Sequence, residues 1–385
     1  MDRTSFKARL GKAYATSTQL YNWHFTPSDL ANQRQECNTA ARKRLMESNA
    51  AGKDGEKAED SEMRSVGLDP DEELNVVKRY IYLMKALFDK FTNPRLPDEV
   101  YGFAVTYLKR FYLTHSVMDF YPREIMLLSL YMACKASDFP IGLQAFISHI
   151  PRNQERYSYF ILNSELFLLE ALHYDLWVYT PYRPLTGLIV DLISYQKRVL
   201  QTQDNKAACD LVRNEAALIK ELRREGADLI NMWYQTDLCL TVHPSQFALA
   251  VLVELGRTRP QLDVEVFVRD ELCGCDPLDK GKKSSGSGVS DGEQESEDDE
   301  DNATNSKPVL KTEPEVTPEQ RWKQLSGRLD FIRETVSEFE FVLDLQPMSP
   351  EEIKLDQCRN PLYNLESEEY AEAKSHADSL LANFD

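Results

Sequence analysis

The 385-residue sequence offers nothing long enough to cross a bilayer. Its apolar run Ile125 to Cys134, broken only by Ser129, is ten residues where a membrane helix needs about 18 to 20. It also has no Cys-x-x-Cys pair. Seven cysteines, an odd number, are scattered at 37, 134, 209, 239, 273, 275 and 358, which describes no disulfide framework and implies a reducing compartment. Cys273-Gly274-Cys275 would need two further metal ligands, and no His or Cys lies close in sequence. Positive charge is in short supply. With 45 Lys and Arg against 63 Asp and Glu the net charge is −18, which opposes direct nucleic-acid binding because phosphate contacts need clustered cations. A protein partner fits better. The first twenty residues carry Arg3, Lys7, Arg9 and Lys12 without the apolar core of a secretory signal; with Asp2 their only acid, a mitochondrial presequence stays open.

Motifs for bond chemistry are missing as well. Gly281-Lys282-Lys283-Ser284 resembles the end of a phosphate-binding loop but lacks the upstream glycine and a preceding strand. No His-Arg-Asp or Asp-Phe-Gly of a kinase occurs, and Asp138-Phe139 is followed by proline. Glu170 and His173 form a Glu-x-x-His, but di-iron bundles need that motif twice. No catalytic residue, metal ligand or cofactor site is assigned.

What is present is helical. With 42% hydrophobic residues and this length, two domains with tails are expected. Pro122 to Asp138 is apolar on every side from Ile125, so it reads as a hub helix that others must enclose. Before it, Thr26-Pro27-Ser28-Asp29 opens a helix carrying Leu30, Cys37, Ala41 and Leu45. Charged Gly52 to Ser65 follows as a loop. Asp69-Pro70-Asp71-Glu72 opens a second helix with a stripe from Leu74 to Phe91, and Pro97 a third with Val100, Phe103, Ala104, Tyr107, Leu108 and Phe111 as its buried face. After the hub come a short helix, Leu143 to Ile150, and a longer one opened by Asn153, with Tyr157, Phe160, Ile161, Leu168, Leu169 and Leu172 on one stripe. Five helices with short links make one all-α unit.

Tyr182-Arg183-Pro184 reads as punctuation, after which the plan repeats. Leu188 to Leu200 and Leu211 to Tyr234 are helices, and Pro244 starts a second apolar hub at Phe247 to Leu255. Leu262 to Leu272 matches the short fourth helix. The fifth is displaced by Cys273 to Val316, which holds eight acids between Asp291 and Asp301 and is predicted to be disordered. It is found at the Thr317-Pro318-Glu319-Gln320 capping box, with Trp322, Leu325, Leu329, Ile332, Val336, Phe339 and Leu343 as its stripe. The expected boundaries are 1–68 for an N-terminal helix and loop, 69–180 and 181–346 for the two units, and 347–385 for a tail in which Ser349 caps a short helix.

Two charges stand apart. Glu165 falls on an apolar stripe, where a carboxylate needs a partner because an unpaired buried charge costs several kcal/mol. That partner lies within the chain or on another protein, unless the helix edge is exposed there. Lys135 ends the hub, where a cation suits the helix dipole.

At this point the residues resemble the cyclins. The matching stretches are Thr106 to Pro122, Ile125 to Phe139, Glu165 to Leu176, Pro181 to Leu192 and His243 to Ala250. Lys109 to Tyr112 and Pro181 to Pro184 resemble the transcriptional cyclins. Ser116-Val117-Met118 with Pro122-Arg123 and Ile125-Met126-Leu127 points to the regulatory subunits of the CDK-activating kinase, whereas Thr236 to Leu240 looks more like the cyclin of the Mediator kinase module, which is the alternative. The resemblance implies two tandem five-helix cyclin boxes with terminal helices and a non-catalytic, nuclear subunit. It implies three partners: a cyclin-dependent kinase 7 type catalytic subunit, an assembly factor as third subunit, and transcription factor II H, which acts on the RNA polymerase II tail and other cyclin-dependent kinases. By position it assigns kinase binding to Lys135, Asp138, Glu165, Tyr174 and Leu176. Two departures are visible: Lys109-Arg110-Phe111 replaces the Asp-Arg-Phe of mitotic cyclins, and Lys78 to Ile81 does not match their substrate-docking motif, so short docking peptides are not expected to bind. Ser290, Ser296 and Ser349 are candidate phosphorylation sites.

Overall fold

The computed structural model describes residues 14–51, 67–202, 206–275, 317–343 and 349–361, with five further positions between 367 and 375. The Gly52 to Ser65 loop, Ser290 and Ser296, most of the acidic insertion and most of the tail lie outside the described residues. The described residues form helices and no β-strand.

Prolines and capping boxes set the helix starts. After a short α1 (Thr18–Asn22), α2 (Pro27–Ala51) opens where the Thr26 hydroxyl accepts the Asp29 N–H and the Asp29 carboxylate takes the Thr26 N–H, both at 3.2 Å. The same reciprocal bonds join Asp69 with Glu72 at α3 (Pro70–Phe88). Next come α4 (Asp98–Thr114), the hub α5 (Pro122–Ala136), α6 (Leu143–Ile147) and α7 (Gln154–Ala171). The second unit is α8 (Tyr182–Thr202), α9 (Lys206–Trp233), α10 (Leu238–Thr241), the second hub α11 (Pro244–Thr258), α12 (Val264–Phe267) and α13 (Pro318–Ser337). A final α14 (Pro350–Cys358) is capped by Ser349 with Glu352.

The repeat holds in packing. In the first unit α5 packs on α3, α4 and α7; in the second, α11 packs on α8, α9 and α13, the same three positions. The helix displaced past the insertion therefore fills the fifth place, opened by the Thr317 and Gln320 capping box, with Ile332 fully buried and Trp322, Leu325, Leu329 and Val336 against the core.

Several boundaries differ from expectation. Helix α8 begins at Tyr182, so Pro184 lies in its first turn, where a missing N–H costs nothing. The fourth helix of the second unit breaks into a 3₁₀ turn (Pro260–Leu262), α12 and a π-helical turn (Val268–Leu272). Cys273 to Cys275 belong to the folded unit: Cys273 is buried and the Cys275 N–H reaches the Arg269 carbonyl at 3.2 Å. Phe339 and Leu343 are not on the α13 stripe, because α13 ends at Ser337. The chain then runs back over α3, where Lys78 lies 4.5 Å from the Phe339 ring and the Tyr82 hydroxyl donates to the Leu343 carbonyl at 3.0 Å. Gln235 fixes this segment by donating to the Val342 carbonyl and accepting the Val342 N–H.

The larger surprise is α4. Expected to bury one face, it is buried at every residue from Val100 to Leu113. The first unit covers its apolar face, and α2 and α9 close over the other. Contact with the second unit is close: a Cβ on Gly102 would sit 2.7 Å from the Tyr234 hydroxyl, so no larger residue fits without displacement.

Candidate functional site: an exposed face of the first unit

The hub carries Lys135 out of the core in its last turn, and α7 packs on α5 so that Glu165 meets it. The Lys135 Nζ donates to both carboxylate oxygens of Glu165, at 2.8 and 2.7 Å, and stands 5.1 Å from the Tyr131 ring. The two charges reach the surface together. Asp138, three residues on, is exposed in the left-handed conformation, φ 57°, at the turn that ends the hub. The Phe139 N–H closes that turn on the Cys134 carbonyl at 3.1 Å.

Glu165 sits at the edge of the buried part of the α7 stripe, formed by Tyr157, Ile161 and Leu168. At 100° per residue, Leu169, Leu162 and Leu166 follow it around the helix at about 40°, 60° and 100°. Leu162 and Leu166 are 62% and 65% exposed, unusual for leucines standing side by side. Beyond α7, Tyr174 is 62% exposed and Trp177 about half exposed, while Leu176 is half-buried and its carbonyl accepts the Tyr107 hydroxyl. The first unit thus shows one ion pair with exposed leucines beside it on α7, and exposed aromatics in the segment that follows α7. Position matching missed Leu162, Leu166 and Trp177; the signal was apolar residues continuing round α7 past Glu165, on the side the stripe does not need.

His173 and Tyr174 are consecutive left-handed residues, φ 52° and 61°, neither of them glycine. Each costs about 1–2 kcal/mol, so the surroundings must hold them.

A second Lys–carboxylate pair lies inside. Lys109, 3% exposed, donates to the carbonyls of Gln235 and Thr236 and, at 3.1 Å, to Asp237. Arg34 of α2 grips the same carboxylate with two bonds of 2.8 and 2.9 Å. Burial alone would raise the Asp237 carboxyl, but the Lys109 and Arg34 charges with their hydrogen bonds override it and hold it far below the carboxylate range. This bridge ties α2, α4 and the second unit at one point. Among the described residues no cluster of His, Cys, Asp or Glu could hold a metal ion, and no helix is long and apolar enough to cross a membrane.

Two like-built helical units in tandem, flanked by terminal helices and showing this face, define a cyclin, and residues 180–273 match the model of the cyclin C-terminal domain. The similarity runs further than the class. The chain is 47% identical over 373 residues to the probable cyclin-H of Echinococcus multilocularis, covering 97% of this chain and 100% of that one. It is 32% identical to the cyclin-H of Xenopus laevis, over 67% of this chain and 73% of the relative. It belongs to the cyclin H family. In fold it matches a chain from the CAK complex of Chaetomium thermophilum bound to ATP-gamma-S, with TM-score 0.60 and 21% identity over 91% of this chain and 90% of that one.

Proposed function

We propose that this chain is the regulatory subunit of a CDK-activating kinase and that Lys135, Asp138, Glu165, Tyr174 and Leu176, joined by Leu162, Leu166 and Trp177, bind a cyclin-dependent kinase 7 type catalytic subunit. The observation that carries the reading is the solvent-facing Lys135–Glu165 pair bordered by exposed apolar side chains. Such a pair adds little to a monomer, and exposed aromatics such as those after α7 are the residues that dominate binding energy once covered. The chain performs no bond chemistry. It favours the kinase conformation in which the αC glutamate reaches the strand-three lysine that orients the ATP phosphates, by binding that state more tightly. The same reading takes 69–180 and 181–346 as the two cyclin boxes. Full-length likeness to a cyclin-H supports an assembly factor as third subunit, a place in transcription factor II H and a nuclear location, and favours these over the Mediator-kinase alternative. Phosphorylation is proposed at Ser290, Ser296 and Ser349. Ser349 is half-buried and its hydroxyl caps α14, so a phosphate there displaces the Glu352 N–H.

Glu165→Lys, or Lys135 and Glu165 both changed to Ala, should leave helix content by circular dichroism near wild type while the kinase no longer co-purifies. Undiminished co-purification refutes the assignment. Mass spectrometry of what co-purifies with the wild-type chain separates the two kinase alternatives.

A further inference from the structure

The segment from His173 to Tyr179 lifts Tyr174 and Trp177 to the surface on a strained backbone, and little of what holds it comes from the segment itself. Its backbone hydrogen bonds to itself and the end of α7 are the His173 N–H to the Glu170 carbonyl, Tyr174 to Leu169, Asp175 to Leu172 and Leu176 to Tyr174, at 2.9 to 3.0 Å. The remaining anchors come from other parts of the chain, and chief among them is the stretch ending in α1. The buried Gln19 side chain brackets Tyr179, accepting its N–H at 2.6 Å and donating to its carbonyl at 3.3 Å. Asn22 Nδ2 and the Trp23 indole N–H both donate to Asp175 Oδ2, at 2.8 and 2.9 Å. The Trp23 ring, itself buried, stacks on His173 with centroids 5.6 Å apart, and the Arg110 guanidinium lies 4.7 Å from that ring while donating to the Asp175 carbonyl at 2.9 Å. Helix α1 is only five residues long and could not persist alone, so its order and that of the segment are shared.

We propose that Gln19, Asn22 and Trp23 are positioning residues: they brace the 173–179 segment so that Tyr174 and Trp177 are presented to the kinase already in the bound arrangement. This rests on the reading of the face given above and assigns to α1 a part in it at second hand, through the segment. A braced segment spares the complex the ordering cost that a loose one would bring at binding.

The test pairs amide hydrogen exchange of the free chain with its affinity for the cyclin-dependent kinase 7 type subunit of the same organism. Trp23→Ala should speed exchange at the Tyr174, Asp175, Leu176 and Tyr179 amides at least tenfold and weaken kinase binding about tenfold, with Ile125 to Cys134 as protected as before. Trp23→Phe keeps the ring stack and loses the N–H donor, so it should fall between the two on both measures. Gln19→Ala should loosen Tyr179 first. If Trp23→Ala also exposes the hub, the two milder variants decide. The brace is overturned if binding weakens while the segment stays protected, or if the segment loosens and binding does not change. Glu165→Lys measured alongside separates the premises: if it binds as wild type, the kinase-face reading falls and the proposal with it; if it does not bind, a failure of the Trp23 variants counts against the brace alone.

Discussion

The two Lys–carboxylate pairs are chemically alike and differ in the setting of the lysine: Glu165 and Asp237 are about equally exposed, at 25% and 26%, but Lys135 is 42% exposed and Lys109 3%. Lys135 and Glu165 meet at the surface, both partly open to solvent. Lys109 and Asp237 meet where α4 enters the junction between the units; there Lys109 is almost wholly enclosed and Arg34 adds a second cation. An exposed pair typically contributes about 0–1 kcal/mol, whereas removing one member of a buried pair costs about 3–5 kcal/mol because the other is left charged and without water. The same two residue types therefore form the proposed kinase contact in one place and tie the chain to itself in the other. Burial decides which.

The largest expected effect tests the inner pair. Asp237→Ala should lower unfolding free energy in denaturant by about 3 kcal/mol, the low end of the cost for a buried pair, since the enclosed Lys109 then has no anion while Arg34 stays partly open to solvent. A loss as small as that of the outer pair would erase the contrast. A pH series sharpens it. The Asp237 carboxyl is held below its unfolded value near 3.9, so the stability it confers is present above about pH 4 and drains away as pH falls towards its folded value. In Asp237→Asn this part of the acid limb should be flatter, by at most about 1.4 kcal/mol per pH unit. The smallest effect belongs outside: Lys135→Ala should shift the same unfolding curve by less than about 1 kcal/mol, although it removes one side of the proposed kinase contact.

Much of the architecture was legible because it rests on local signals. The all-apolar hub, the capping boxes at Asp69, Thr317 and Ser349, and the repeat that located α13 beyond the insertion are all short-range patterns. The failures are long-range. The buried face assigned to α4 left out Thr106, Lys109 and Arg110, because a pattern of polarity cannot show that a carboxylate 128 residues further on will neutralise Lys109. Glu165 needed a partner on periodicity alone, yet the choice of Lys135 depends on how α7 crosses α5. Leu162 and Leu166 look like core residues by type and are displayed because of where α7 packs. The Phe339 and Leu343 stripe continued past the true end of α13, where Gln235 offers the backbone another set of hydrogen bonds.

Helix α14 stands late in the chain but is a component of its first half. Leu355 is fully enclosed there, Glu352 meets the buried Arg79 at 2.7 Å, and Asn360 donates to Asp119 beside the hub. A nascent chain thus carries most of its amino-terminal unit out of the ribosome long before the piece that neutralises Arg79 is made. Until then that unit has an open seam where Leu355 and Glu352 will sit, so the order of synthesis leaves the earliest-made half to be finished last.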